Sequence, residues 1–316
     1  NKKIRVYNNF NHFKSIFKNK IDYVMSSITG IDGLKPTLNV IPFTKTLAVA
    51  NKESIICGWN LIEKEIKKFN TRFVPVDSEH FSIWYSLKNK KNINIKKIYL
   101  TASGGPFNNL PLSKFKSIKI SEALKHPNWK MGKKISIDSA TMMNKIFEVI
   151  EAVKIFNLKY KDLDILIHPR SYIHAVVHFK TGLTKFIAHN TTMQIPIINS
   201  IHENNESFIF DDKKFNFHNL NGINFIKPNI KNFPLLKILK YNYINSYFET
   251  ILITINDVLV KKYLDNKIPY ILIHKTLLKL IKKPYFVKFY RKSPNNINDI
   301  KSMVKITTNY LNNYLE

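Results

Sequence analysis

Between Lys20 and Ala102 short apolar runs alternate with helical patterns, and each run stops at small or polar residues. An extended run, YVMSSITG, lies within Lys20–Thr37 beside a glycine turn. Leu38–Val49 reads as a helix-like segment followed by the strand LAV. A helix is expected over Ser54–Phe69, a strand over Phe73–Val76 and another over Lys96–Ala102, ended by Ser103-Gly104-Gly105-Pro106. Strands that alternate with helices bury both faces of a sheet, so the fold class expected is α/β. At 316 residues the chain has room for two or three cores.

After Ser139 the pattern ATMMNKIFEVIEAVKIF is helical, and Asp138 or Ser139 can cap that helix. Ile173–Phe179 and Leu183–Ala188 flank Thr181-Gly182 and predict a hairpin. Asn204–Pro234 is polar and reads as a linker, and from Leu235 the runs LKILKYNYI and YILIHKTLLKLIKK are helical. A Lys-rich amphipathic helix there can touch a membrane surface; a solvated face over a helical core is the simpler reading.

The net charge is +28, which invites a nucleic-acid partner. Only four of the 50 basic residues are arginines, however: Arg5, Arg72, Arg170 and Arg291. The lysines are scattered through the chain, so no specific nucleic-acid contact is expected. One cysteine, Cys57, excludes an internal disulfide and a cysteine metal cluster. No run approaches the ~18 apolar residues of a membrane span. The start, NKKIRVYNNFNHF, lacks the apolar core of a signal peptide, and opening on Asn rather than Met suggests residues upstream.

Five segments carry chemistry. In PVDSEH, Asp77 and Glu79 follow a strand, and in extended chain both point to one side, as a hard divalent cation requires. A bare pair of this kind is more often an exposed turn. On the helix after Ser139, Asn144, Lys145 and Glu148 share a face by i,i+3 and i,i+4 spacing and offer a metal ligand beside an anion site. A surface ion pair is the plainer alternative. TASGGPF exposes backbone N–H groups and the Ser103 hydroxyl to an anion, or is an ordinary turn. HPNWKMGKK places His126, Trp129, Gly132 and three lysines in one loop suited to a lid. ANKES follows a strand and fits a ligand edge, or a helix cap with Glu53 on the dipole. His168 and His174 are left unassigned.

Taken in order, ANKES, PVDSEH, LTASGGPF, HPNWKMGKKISIDSATMMNK and IHPRSYIH resemble the 1-deoxy-D-xylulose 5-phosphate reductoisomerase family, strongly over Ile21–Ile198 and loosely beyond. That resemblance implies an NADPH-dependent oxidoreductase and isomerase of isoprenoid biosynthesis, using Mn²⁺ or Mg²⁺. It implies conversion of 1-deoxy-D-xylulose 5-phosphate to 2-C-methyl-D-erythritol 4-phosphate by a cytoplasmic homodimer, bacterial or endosymbiont-like, with a plastid also open. By resemblance, Asp77, Glu79 and Glu148 bind the metal. Lys52 and Ser78 contact the hydroxyl and carbonyl end of the substrate. Ser103, His126, Ser139, Asn144 and Lys145 hold its phosphate. Trp129 is the lid tryptophan, and Asn51, Glu53 and Gly132 touch the cofactor.

The implied organisation is a partial, Rossmann-like NADPH domain over 1–76, a mixed α/β catalytic domain over 77–209, a linker over 210–232 and a helical domain over 233–316. The family's opening GxTGSxG turn does not occur in this sequence. The alternative expectation is therefore a non-catalytic remnant that binds metal and sugar phosphate. Lesser departures are Ile146-Phe147 for Gly-Leu, Phe81-Ser82 for Asn-Ala, Arg170 for Gln and Asn256-Asp257 for Asn-Glu.

Overall fold

The computed structural model describes residues 6–7, 9–88, 94–108, 110–203, 207–210 and 216–315. Part of the expected linker, 211–215, lies outside the described residues, as do 1–5 of the first expected domain.

The first sheet is parallel: β1 (Ile21–Ser26), β2 (Thr44–Val49) and β3 (Arg72–Pro75) lie in the order β1-β2-β3. Parallel strands need crossovers, and these are α1 (Leu34–Val40) and α2 (Lys52–Phe69). Asn51 starts α2 by accepting the Ser54 N–H at 2.7 Å, and Asn70 ends it in the left-handed region at φ 49°. Helix α3 (Ser78–Leu87) follows β3 directly. The carboxyl ends of β2 and β3 thus deliver Lys52 and Asp77 to one edge, where α/β sheets place their ligands.

The second sheet is mixed, in the order β5-β4-β6-β7. Strand β4 (Ile95–Ala102) pairs parallel to β5 (Leu163–Ile167) and antiparallel to β6 (Ile173–Phe179). The expected hairpin forms between β6 and β7 (Thr184–Ala188). Helices α4 (Lys133–Ala140) and α5 (Met143–Ile155) lie in the crossover from β4 to β5, and α6 (Gln194–Ile201) follows the hairpin. The C-terminal part packs α7 (Tyr247–Leu264), α8 (Tyr270–Leu280) and α9 (Ile297–Leu315). One apolar core runs from Leu47 and Ile56 through Leu100, Ile146 and Ile150 to Leu252, Ile255 and Leu277.

Three local expectations change. The helical pattern after Ser139 is broken: Asp138 and Ser139 belong to α4, and α5 starts after Met142, whose φ is +63°. Neither side chain therefore caps the long helix; a left-handed Met142 turns the chain between two helices instead. LKILKYNYI is not α-helical: Pro234–Lys240 is a 3₁₀ segment and irregular chain follows, with Ser246 capping α7. The described part of the linker folds back on β5, where Ile226 bridges Ile167 and Arg170 donates to the Asn221 carbonyl at 2.7 Å. The unusual arginine of HPRS thus anchors the linker.

Candidate active site

Asp77 and Glu79 meet by a route other than strand alternation. Asp77 is the N-cap of α3, accepting the Glu79 N–H at 3.3 Å, and Glu79 lies in the first helical turn. The cap fixes both carboxylates at the helix start, whereas an extended chain would have carried Ser78 to the opposite face. Glu148 reaches them from α5, and ligand oxygens of the three lie within 4.8 Å of one another. The surface-pair alternative for Lys145 and Glu148 fails, because both are buried.

These carboxylates open on a cleft of about 870 Å³, mouth included, which also contains Ser78, Ser103, His126, Trp129, Ser139, Asn144 and Lys145. Two backbone features bring the far groups in. Gly104 and Gly105 both have positive φ, and a Cβ on Gly105 would stand 3.2 Å from the Ala140 Cα, so the Ser103 turn lies directly against the end of α4. The left-handed Met142 lets Ser139, ending α4, and Asn144 and Lys145, beginning α5, face the same space; strain of this kind concentrates at functional sites.

The electrostatics are those of a crowded carboxylate site. Burial and the charge of Glu79 push the Glu148 carboxyl up to about 7, against the pull of Lys145 and Lys52. Burial opposes the charge on Lys145, yet Glu148 and Glu79 outweigh it and hold the ammonium protonated, with Glu79 Oε1 at 2.8 Å. Lys52 stands behind the trio, paired with Asp77 and lying 3.6 Å from Glu148 and 3.5 Å from Glu151. Burial opposes its charge too, and Asp77, Glu151 and Glu148 overcome it.

His126 is neutral: burial, then the Lys145 charge, pushes it down to about 4. Its Nδ1 accepts the N–H groups of Asn128 (3.2 Å) and Trp129 (2.9 Å). Nε2 therefore carries the proton and meets Ser103 Oγ at 3.1 Å. Ser103 Oγ also accepts the Gly105 N–H, which leaves its own hydrogen to point at an anion.

An all-oxygen set of three carboxylates suits Mg²⁺ or Mn²⁺ rather than a softer metal. The clustered acids are the physical sign of fit: Asp77, Glu79, Glu148 and Glu151 outnumber Lys52 and Lys145, and the Glu148 carboxyl is raised accordingly. A neighbouring cleft is lined by Thr29, Gly30, Glu53, Lys133, Lys134 and Asp257, and a Cβ on Gly30 would meet nothing within 4 Å.

Among the residues singled out in the sequence, Asn51, Lys52, Glu53 and Gly132 do not line the main cleft; Lys52 lies behind it against Asp77. Asn51 is buried as the cap of α2 and donates to the Gly30 carbonyl at 2.7 Å. Glu53 faces the neighbouring cleft and Gly132 the outer side of the Trp129 loop. Sequence reasoning missed Glu151, one helical turn beyond Glu148 on the same stripe; extending the stripe of Asn144 and Glu148 by one turn finds it. It also missed His80, whose Nδ1 lies 3.3 Å from Asp77, and Met193. His174, left unassigned, lines the cleft and packs edge-on to Trp129. A histidine within a strand gives no signal of that kind.

The family model for 1-deoxy-D-xylulose 5-phosphate reductoisomerase matches residues 1–58, that for the enzyme's C-terminal domain matches 73–156, and a further DXP reductoisomerase C-terminal domain matches 189–310. The 1-deoxy-D-xylulose 5-phosphate reductoisomerase of Pelagibacter ubique is 57% identical over 307 residues, covering 96% of this chain and 79% of its own length. That of a Sulfurihydrogenibium species is 38% identical, over 92% of this chain and 75% of its own. The Zymomonas mobilis reductoisomerase in complex with NADPH superposes with a TM-score of 0.83 at 29% identity, over 93% of this chain and 75% of that one. A DOX-P reductoisomerase in complex with NADPH, fosmidomycin and magnesium gives 0.86 at 29% identity, over 94% and 76%. With the motifs, the α/β architecture and these matches in agreement, the chain belongs to the 1-deoxy-D-xylulose 5-phosphate reductoisomerase family.

Proposed function

We propose that this protein converts 1-deoxy-D-xylulose 5-phosphate to 2-C-methyl-D-erythritol 4-phosphate with NADPH and a divalent metal. The observation that carries the reading is the convergence of Asp77, Glu79 and Glu148 beside a cleft rich in anion donors. When bound, the metal supplies a Lewis acid and template for vicinal oxygens, and NADPH supplies the hydride.

The residues divide the work. Asp77, Glu79 and Glu148 hold the metal. Lys145, Ser103, Ser139, Asn144 and His126 bind the phosphate, far from the reacting carbons, so that binding energy is spent on orientation. Neutral His126 and Ser103 act as hydrogen-bond donors, and Lys145 as the fixed charge. Lys52 is a cation held behind the three carboxylates, assigned with the cleft residue Ser78 to the carbonyl and hydroxyl end of the substrate. Trp129 and Met131 cover the cleft and exclude water. The overall change breaks one carbon–carbon bond and forms another, giving a branched aldehyde that hydride reduces to the alcohol. Asn51, Glu53 and Gly132 attend the cofactor, on the side of the cleft that holds Gly30.

The same reading divides the chain into a cofactor part over 1–76, a catalytic part over 77–209, a linker over 210–232 and a helical part over 233–316. It makes the protein a cytoplasmic homodimer. Among the described residues no helix is long and apolar enough to cross a membrane. The outer strand β7, with Phe186 47% exposed, is the edge on which a second copy would pair.

The test is consumption of NADPH by the full protein with 1-deoxy-D-xylulose 5-phosphate and Mg²⁺, and with EDTA. Turnover that EDTA stops and added Mn²⁺ restores is the expected outcome, with fosmidomycin competing against the sugar phosphate. Turnover indifferent to EDTA would sink the metal-dependent reading.

A further inference from the structure

The sequence departure Asn256-Asp257 lies where three parts of the chain meet. Lys134 stands in the first turn of α4, two residues past Gly132 and the Trp129 loop. Its ammonium lies 3.0 Å from Glu53 on α2, 3.0 Å from Asp257 on α7 and 3.3 Å from Asp138 on its own helix. Asn256 adds a second tie, donating from Nδ2 to Asp138 Oδ1 at 2.7 Å.

Helix stability does not account for this lysine. A cation in the first turn opposes the macrodipole, and Lys134 sits at that end. Nor is this an isolated surface pair of small consequence. One ammonium draws in three carboxylates from three elements, donating to Glu53 and lying within ion-pair distance of Asp138 and Asp257, so the acids outnumber it and all three converge on the one cation. Helix α4 has eight residues, below the ~12 at which an isolated helix holds itself, so its position depends on such anchors. Both of its ends enter the cleft: the Trp129 loop precedes it, and Ser139 lies in its last turn.

We propose that Lys134 is a positioning residue that clamps α4 to α2 and α7, and so sets the Trp129 loop and Ser139 at their working distance from the metal carboxylates. Its meaning for turnover rests on the function proposed above; the clamp itself does not. Lys134 touches no group of the metal cleft; with Glu53 and Asp257 it lines the neighbouring cleft, and it acts on the metal cleft through the helix.

Two readouts separate these levels in the full protein. Amide exchange by mass spectrometry reads the segment 127–135 without any chemistry. Lys134→Met is expected to speed exchange there about fivefold or more while β5 and α7 keep wild-type rates. In the assay the same variant is expected to raise KM for the sugar phosphate about tenfold, with kcat and the Mg²⁺ requirement within about threefold. Lys134→Arg, which keeps the charge, returns both readouts toward wild type. Unchanged exchange over 127–135 in Lys134→Met overturns the clamp. Faster exchange with unchanged KM overturns the positioning role. A wild-type protein without turnover counts against the proposed reaction only, because exchange still decides the clamp. Should Lys134→Met fail to fold, Asp257→Asn loosens one arm: faster exchange at 127–135, reversed in Asp257→Glu, supports the clamp, and unchanged exchange removes it.

Discussion

Helices α5 and α9 are both long, yet they are buried in opposite ways. Helix α9 buries Ile300, Met303, Thr307 and Leu311 and leaves most of its other side chains to solvent, one stripe at helical spacing. Helix α5 is buried nearly all round, and among its buried residues are Lys145, Glu148, Glu151 and Lys154. Placing charge in an interior costs free energy that a hydrophobic isostere would not, so it persists where something other than stability requires it. Lys154 has a closed structural arrangement, with Glu249 at 2.8 Å and the Ile56 carbonyl at 2.6 Å. The other three face Asp77, Glu79 and Lys52 at the cleft. Lys154 meets one acid and one carbonyl, whereas at the cleft Asp77, Glu79, Glu148 and Glu151 share only Lys52 and Lys145 and leave negative charge in excess.

That contrast breaks most sharply at Glu148. Glu148→Gln is expected to reduce metal-dependent turnover by about 10³-fold or more, ~4 kcal/mol. The melting temperature should hold, since Gln keeps the shape while Lys145 and Lys52 retain Glu79 and Asp77 as partners; calorimetry beside the assay checks both halves. On α9, Leu311→Ala should do the reverse. A cavity there is expected to cost ~2–5 kcal/mol in urea unfolding, with kcat and KM unchanged in the folded protein. Comparable loss of activity in that variant would erase the distinction between the two helices.

Lys145→Ala should cost ~2–4 kcal/mol in kcat/KM, chiefly through KM for the phosphorylated substrate. Unaltered steady-state constants would remove it from the phosphate group. Acid sharpens the comparison at the C-terminal end. Burial pushes His274 down to about 3, among the rings of Phe115 and Tyr270. The unfolded chain takes up a proton near pH 6.5 that the folded one refuses. Its contribution is thus whole above pH 6.5 and is lost as pH falls toward 3, by up to ~1.4 kcal/mol per unit. Urea midpoints at pH 7 and 5 should show that slope, and His274→Leu should flatten it. Smallest of all, Lys301→Ala on the solvated face of α9 should move stability by less than ~0.5 kcal/mol, and a larger shift would mean that this face has a partner.

How much of this was legible beforehand differs by element. The strands before ANKES and PVDSEH, the β6–β7 hairpin and the C-terminal helices follow from periodicity and turn residues, because neighbours in sequence set those patterns. Asp77 and Glu79 were rightly paired for a wrong reason, since alternation in a strand and a capped helix start both put them on one side. The break at Met142 was hidden, because a methionine with positive φ has no composition signal and is held there by surrounding structure. Glu151, His174 and the linkage of Lys134 to Glu53 and Asp257 were equally hidden, each being a contact between distant segments.

The sequence by itself determined the chemistry on offer: which acids, amides, hydroxyls and lysines exist, and the local elements that carry them. Only the tertiary structure decided which of these share a space. Local patterns record interactions within a few residues, whereas a carboxylate trio or an ion-pair cluster is a sum of through-space energies between segments 70 or more residues apart, as Asp77 is from Glu148. Those energies exist only once the sheets and helices have packed.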